Sequence, residues 1–140
     1  MITAGLTNSF KEQLLLGVHD FSTDVLKIAL YTSNAELGPL TAQYTSVEEV
    51  SGVGYTATGE TLTGVTVELS ESLGVAFVSF NNPTWAAATF TTRGALIYNS
   101  TKAGKSIGVL NFGLDQSPLS QQFQIQLPTN DAESALIRIS

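Results

Sequence analysis

The stretch RGALIYNSTKAGKSIGVLNFG, residues 93–113, decides the fold, because two incompatible architectures compete for it. Its Gly104-Lys105-Ser106 are the letters that close a phosphate-binding loop. Such a loop carries a further Gly five positions earlier, follows a buried strand and opens a helix whose N-terminal amides hold the phosphates. Here that earlier position is Asn99, and the residues that follow, SIGVLNFG (106–113), form an apolar run with β-branched residues and two glycines. Such a run reads as a strand, as does RGALIYN (93–99) before it. Two strands joined by a short Ser, Thr, Lys and Gly turn make a hairpin, with Lys102 and Lys105 expected as solvated tip residues. The nucleotide-binding reading therefore fails, and antiparallel pairing takes its place.

Strand signals recur on both sides of this hairpin. DVLKIALYTS (24–33) alternates Leu26, Ile28 and Leu30 with Lys27, Ala29 and Tyr31, the pattern of a half-buried strand. LTGVTVELS (62–70) sets Val65, Val67 and Leu69 opposite Thr66, Glu68 and Ser70, and GVAFVSF (74–80) follows after the turn ESLG. TWAAATFTT (84–92) is anchored by Trp85 and Phe90, QQFQIQLP (121–128) turns Phe123, Ile125 and Leu127 inward, and ALIRIS (135–140) sets Ile137 and Ile139 against Arg138. About eight short strands with Gly and Pro turns, and no parallel crossover pattern, predict an all-β fold: an antiparallel β-sandwich of jelly-roll or Greek-key type.

Two segments depart from the strand rhythm. NSFKEQLLLG (8–17) reads as one short helix, with a capping box from Ser9 to Glu12, an apolar side of Phe10, Leu14 and Leu15, and Gly17 as its stop. Too short to persist alone, it has to dock on the sheets or on a neighbouring subunit. Residues 34–60 are a polar excursion punctuated by Gly38-Pro39, Gly52, Gly54 and Gly59, and connections of that length inside compact domains are often functional. The whole chain, 1–140, reads as one domain, with 1–20 as an N-terminal arm and helix.

Composition narrows the function classes. Charged residues make up only 13%, so the surface has to be built largely from Thr, Ser, Asn, Gln and Gly, which suits a protein whose outer face meets other subunits. A net charge of −6 without basic clusters disfavours nucleic acid as a partner. With no cysteine and one histidine there is no thiolate chemistry and little to hold zinc. The run LLLGV is too short for a secretory core and nothing approaches a membrane span, so the chain is expected to be made in the cytosol.

No constellation reads as catalytic. His19, with Asp20 and Asp24 nearby, lacks any nucleophile elbow and is expected as a polar residue at the helix-to-strand corner. Glu48 and Glu49 would point to opposite faces, and they, like Glu68 and Glu71, read as solvated carboxylates rather than an acid/base pair. GLDQS (113–117) and TNDAE (129–133) do not follow a calcium-loop pattern. No catalytic, metal or cofactor residue is expected. Trp85 reads as a core anchor, since Ala86 to Ala88 leave room for it, or as an exposed recognition aromatic.

Taken in order, NSFKEQLLLGVHDF, LKIALYTSNAELG, YTATGETLTGVTVELS, NNPTWAAATFTTRGALIYNST and GVLNFG resemble small structural proteins of tailed bacteriophages, with RGALIYN and GYTATGETLTGV the most specific stretches. The resemblance implies a non-enzymatic virion component with a β-sandwich fold, assembled in the host cytoplasm. Its expected role is a head decoration or cement protein bound outside the major capsid shell, with a tail or head-to-tail connector component as the alternative. Partners would be the major capsid protein or other virion subunits, and further copies of the chain as a dimer or trimer. The uncharged N-terminal segment, with Ile2, Leu6 and Phe10, and the 34–60 excursion are the expected contacts. A virion-displayed carbohydrate-binding module, stacking sugars on Tyr44, Tyr55 and Trp85, is a further alternative.

Overall fold

The computed structural model describes residues 1–140. It is all-β and sandwich-like, with ten strands and one helix: β1 (Gly5–Leu6), α1 (Asn8–Leu15), β2 (Leu26–Tyr31), β3 (Glu60–Thr61), β4 (Thr66–Ser70), β5 (Val75–Ser79), β6 (Thr84–Ala88), β7 (Thr92–Asn99), β8 (Lys105–Gln116), β9 (Gln121–Gln124) and β10 (Ile137–Ile139). The two strands beyond the expected eight, β1 and β3, are only two residues long and have no alternation to read. Every strand pairing is antiparallel.

The 93–113 hairpin is the centre of the molecule. As β7 and β8 it occupies the middle of a five-stranded sheet ordered β1-β8-β7-β2-β3. The register of β2 on β7 sorts the side chains of this sheet onto two faces. Leu26, Ile28 and Leu30 lie opposite Asn99, Ile97 and Ala95 on one face; Ala29 and Tyr31 lie opposite Leu96 and Gly94 on the other, with Tyr98.

Both faces are covered, and by different kinds of structure. The first face joins a core of Leu26, Ile28, Leu30, Ala95, Ile97 and Ile107 to Phe10, Val78, Phe80, Trp85, Ile125 and Ile137. These come from α1 and from a second layer made of two small sheets, β10-β5-β4 and β6-β9, with their flanking residues. The second face packs Ala29, Tyr31, Leu96, Tyr98 and Val109 against Ile2, Ala35 and Leu37 of the N-terminal arm and the start of the excursion. The central strand β2 is therefore buried on both sides, not half-buried as its alternation suggests; Ala29 and Tyr31 have no exposure.

The excursion also closes the outer edge of β2. Val50 N–H donates to Leu30 O at 2.9 Å and Thr32 N–H to Glu48 O at 2.9 Å, and just past the excursion Leu62 N–H donates to Leu26 O at 2.9 Å, so the length of β2 that the two-residue β3 does not cover is not left open. Gly59 makes this approach possible. Its φ is +85°, and a Cβ there would lie 1.9 Å from Ile28 O.

Helix α1 begins earlier than the Ser9–Glu12 box would set it. Thr7 is the N-cap, accepting from Phe10 N–H at 3.4 Å, because Thr7 itself is fastened to β8 through Thr7 N–H to Ile107 O at 3.0 Å. The tertiary anchor outranks the local box. Of the expected apolar side, Phe10 is buried and Leu14 packs against the core, but Leu15 points to solvent.

Candidate functional site

Four tyrosines are present in the chain, and all of them bind down the 34–60 excursion or are bound by it. Glu49 is the hub. Its carboxylate accepts from Tyr44 Oη at 2.6 Å, Tyr55 Oη at 2.6 Å and Thr58 N–H at 2.7 Å. Tyr31 Oη donates to Thr45 O at 2.6 Å and Tyr98 Oη to Thr58 O at 2.5 Å, so the covered face of the main sheet presents two phenols to the loop backbone. Burial pushes the Tyr55 and Tyr44 phenols up, and the hydrogen bonds to Glu49 push them further; burial raises Tyr31 and Tyr98 as well. Glu48 does point away from Glu49, to Thr32 Oγ1 at 2.8 Å, but Glu49 is a half-buried structural acceptor rather than a solvated carboxylate.

A second polar cluster sits at the hairpin tip. Asn99, fully buried, donates from Nδ2 to Asp24 Oδ2 at 2.7 Å and to His19 Nδ1 at 3.0 Å, while its Oδ1 accepts from Lys102 N–H at 3.2 Å. Lys102 Nζ pairs with Asp24 at 3.0 Å, and Ser100 N–H and Oγ both donate to Val25 O at 2.9 Å. The tip is thus docked onto residues 24–25, and Lys102 is not the free tip lysine expected. With His19 Nδ1 occupied as an acceptor, Nε2 carries the proton and donates to Gln13 Oε1 at 2.9 Å. His19 is buried between the Phe10 and Phe21 rings, with centroids 5.1 and 6.4 Å away, and burial holds its pKa below the ordinary value. Burial alone would raise the Asp24 carboxyl, but the bonds from Asp20 N–H, Asn99 and Lys102 win and lower it. Both clusters join distant parts of one fold.

Of the six residues expected to meet a partner, Ile2, Phe10 and Trp85 are inside and Leu6, Tyr44 and Tyr55 are half-buried. Ile2 and Phe10 are core side chains, and Leu6 is half-buried in β1 against Gly108 of β8. These corrections have one cause: the N-terminal arm finds its apolar partner in its own domain, through Thr3 N–H to Leu37 O at 2.8 Å and the β1–β8 pairing. Trp85 is 1% exposed, with Tyr55 stacked on it at 6.5 Å and Phe123 tilted against it at 5.7 Å, which settles the choice for a core anchor. Tyr44 and Tyr55 are half-buried with their hydroxyls committed to Glu49. With Trp85 enclosed, the three rings do not make one exposed surface.

What the fold leaves open is the small sheet β10-β5-β4. Its registers put Val67, Val78 and Ile137 in one row and Leu69, Ala76 and Ile139 in the next, all on one face. Val78 and Ile137 are buried, yet Val67 is 58%, Leu69 64% and Ile139 55% exposed. The alternation of Val67 and Leu69 is as the sequence suggests, but nothing in the chain covers it. Leu14 and Phe21 border the same surface and, with Val67, Ala76 and Ile139, line a small apolar groove of about 120 Å³. A larger cleft of about 440 Å³ runs between β8 and residues 123–128, lined by Phe112, Phe123, Gln116, Gln124 and Gln126. Its amides are engaged: Gln126 Nε2 donates to Gln124 Oε1 at 2.6 Å and Gln124 Nε2 to Thr84 Oγ1 at 3.2 Å.

Comparison with known proteins finds no matching family, no matching curated protein and no matching solved structure.

Proposed function

We propose that this chain is a non-enzymatic structural protein of a tailed-phage virion, a decoration or cement subunit that docks on the outside of the major capsid shell. The observation that carries the reading is the uncovered face formed by Val67, Leu69, Ala76 and Ile139. It is apolar, it lies on a regular sheet, and its backbone is held by pairing, so little ordering cost attends docking. The low charged fraction of 13% lowers the desolvation cost of burying such a surface, and the resemblance of RGALIYN and GYTATGETLTGV points to the same class of protein. Each contact is modest, but many copies on one closed shell add up.

The test is reconstitution. Shells of the cognate major capsid protein prepared without this chain are mixed with purified protein, pelleted and heated. Saturable co-sedimentation and a raised disruption temperature are expected, and both are expected to fall with Leu69→Asp, which places a charge on the open face. Binding to isolated tails but not to shells would move the chain to a tail or connector position. Binding to neither, by a folded protein, would overturn the virion reading.

A further inference from the structure

The open sheet has a second property that a docking face alone does not require. Arg138, Phe77 and Glu68 are consecutive partners across β10, β5 and β4, so their side chains share the face opposite Val67 and Leu69. This row begins with a cation at one edge of the sheet and ends with an anion at the other. Both edges are free: in the order β10-β5-β4 neither outer strand has a further strand beside it. Neither charge is spent on an ion pair within the chain. The salt bridges are Met1–Glu36, Arg93–Asp115 and Lys102–Asp24, while Arg138 donates only to Ala132 O at 3.3 Å and Glu68 accepts from the Ser79 hydroxyl.

From this we infer that copies of the chain associate head to tail, the β4 edge of one copy pairing with the β10 edge of the next, so that the three-stranded sheet continues from molecule to molecule. The occupant of each edge is a second copy, and charge selects it. Strands β4 and β10 both run antiparallel to β5 and therefore parallel to each other, so a copy that extends the sheet presents its β10 to β4 in parallel. Neighbouring strands lie about 4.8 Å apart, which brings the Arg138 guanidinium of one copy within reach of the Glu68 carboxylate of the other. On the opposite face Ile137 and Ile139 of one copy extend the rows that end in Val67 and Leu69 of the next.

The two alternatives that use like edges are disfavoured by the same charges. Pairing β4 with β4 centres Glu68 on Glu68, and pairing β10 with β10 centres Arg138 on Arg138; like charges directly opposite destabilise a strand pair. A head-to-tail contact is heterologous, so it generates a ring where the rotation closes and a filament where it does not. With a five-residue strand on one side and three residues on the other, each contact is small and association is concentration-dependent. This inference concerns contact between copies and stands or falls separately from attachment to a capsid.

Charge reversal tests it. Sedimentation velocity on the wild-type chain over rising concentration should show reversible association that weakens with salt. Glu68→Arg and Arg138→Glu alone should each raise the dissociation constant about tenfold or more, because each puts like charges together. The double reversal should recover association, and so should an equimolar mixture of the two single variants, in which every junction is again complementary. Circular dichroism checks that the variants fold; if a reversal does not, Glu68→Gln and Arg138→Gln take its place and should each weaken association. A wild-type chain that stays monomeric up to its solubility limit would overturn the inference. Association indifferent to the single reversals, or not rescued by mixing, would also do so.

Discussion

Tyr55 Oη donates to Glu49 Oε2 at 2.6 Å and, through the same oxygen, accepts the Leu30 N–H at 3.0 Å. One phenol thus ties the carboxylate at the centre of the excursion to the backbone of the central strand β2. At this position the main-chain edge of β2 is satisfied by a side chain rather than by another strand, which explains how an irregular segment can cover a sheet without leaving its donors unpaired.

Removing the carboxylate should therefore cost more than removing the ring hydroxyl. Glu49→Ala strands two phenols and the Thr58 N–H, and is expected to lower unfolding free energy by about 2–3 kcal/mol, against about 1–2 kcal/mol for Tyr55→Phe. Urea denaturation of the purified variants measures both. Losses below about 0.5 kcal/mol would mean that the network holds nothing together.

Alkaline pH should unfold the protein together with its tyrosines. All four phenols are raised in the folded state, by burial first. The unfolded chain then releases phenolic protons from about pH 10 while the folded chain retains them, so stability is intact below that pH and falls above it. Ultraviolet titration should show delayed, cooperative phenol ionisation coincident with loss of β-sheet circular dichroism. Four independent titrations near the ordinary tyrosine value would contradict the network.

His19 predicts the behaviour on the acid side. Its folded pKa lies below the ordinary value because of burial, so the unfolded chain takes up the proton first as pH falls. Its stabilising contribution is complete above about pH 6.5 and declines below it, before the carboxylates titrate. Nuclear magnetic resonance should find the neutral Nε2–H tautomer at pH 7 and a lowered midpoint. Between pH 7 and 5 the wild type should lose stability that a His19→Leu variant does not lose.

Two glycines with similar backbone angles should respond very differently to alanine. Gly59 and Gly74 have φ of +85° and +67°, but a Cβ on Gly59 would strike Ile28 O whereas one on Gly74 meets nothing within 4 Å. Gly74→Ala is expected to cost about 1 kcal/mol, the ordinary strain of that conformation. Gly59→Ala should cost more than about 3 kcal/mol, since the excursion has to lift from β2. Thermal unfolding of the pair distinguishes strain from collision.

The strand content and the central hairpin were legible in the sequence because they rest on local facts: the β-branched runs around 93–113, the period-two alternation of Val67 and Leu69, and turn glycines between them. The small residues beside Trp85 allowed an anchor, but they left a recognition role open until its burial was known. Burial was not. Alternation says which side chains share a face, and it cannot say whether that face is covered. Thus Ala29 and Tyr31, on what reads as the polar face of β2, are enclosed, while Val67 and Leu69, on what reads as an apolar face, are open. The one available hint was chemical: Tyr31 and Tyr98 are large aromatics for a solvent-facing row. The clustering of Glu49 with Tyr44 and Tyr55, the meeting of His19 with Asn99 across eighty residues of sequence, and the opposite charges at the two edges of the β10-β5-β4 sheet all depend on which distant segments pack together. Sequence alone determined that this chain forms antiparallel strands, since that choice is written in near-neighbour patterns. Tertiary structure alone decided which surfaces remain for a partner, since exposure is a property of the packed whole.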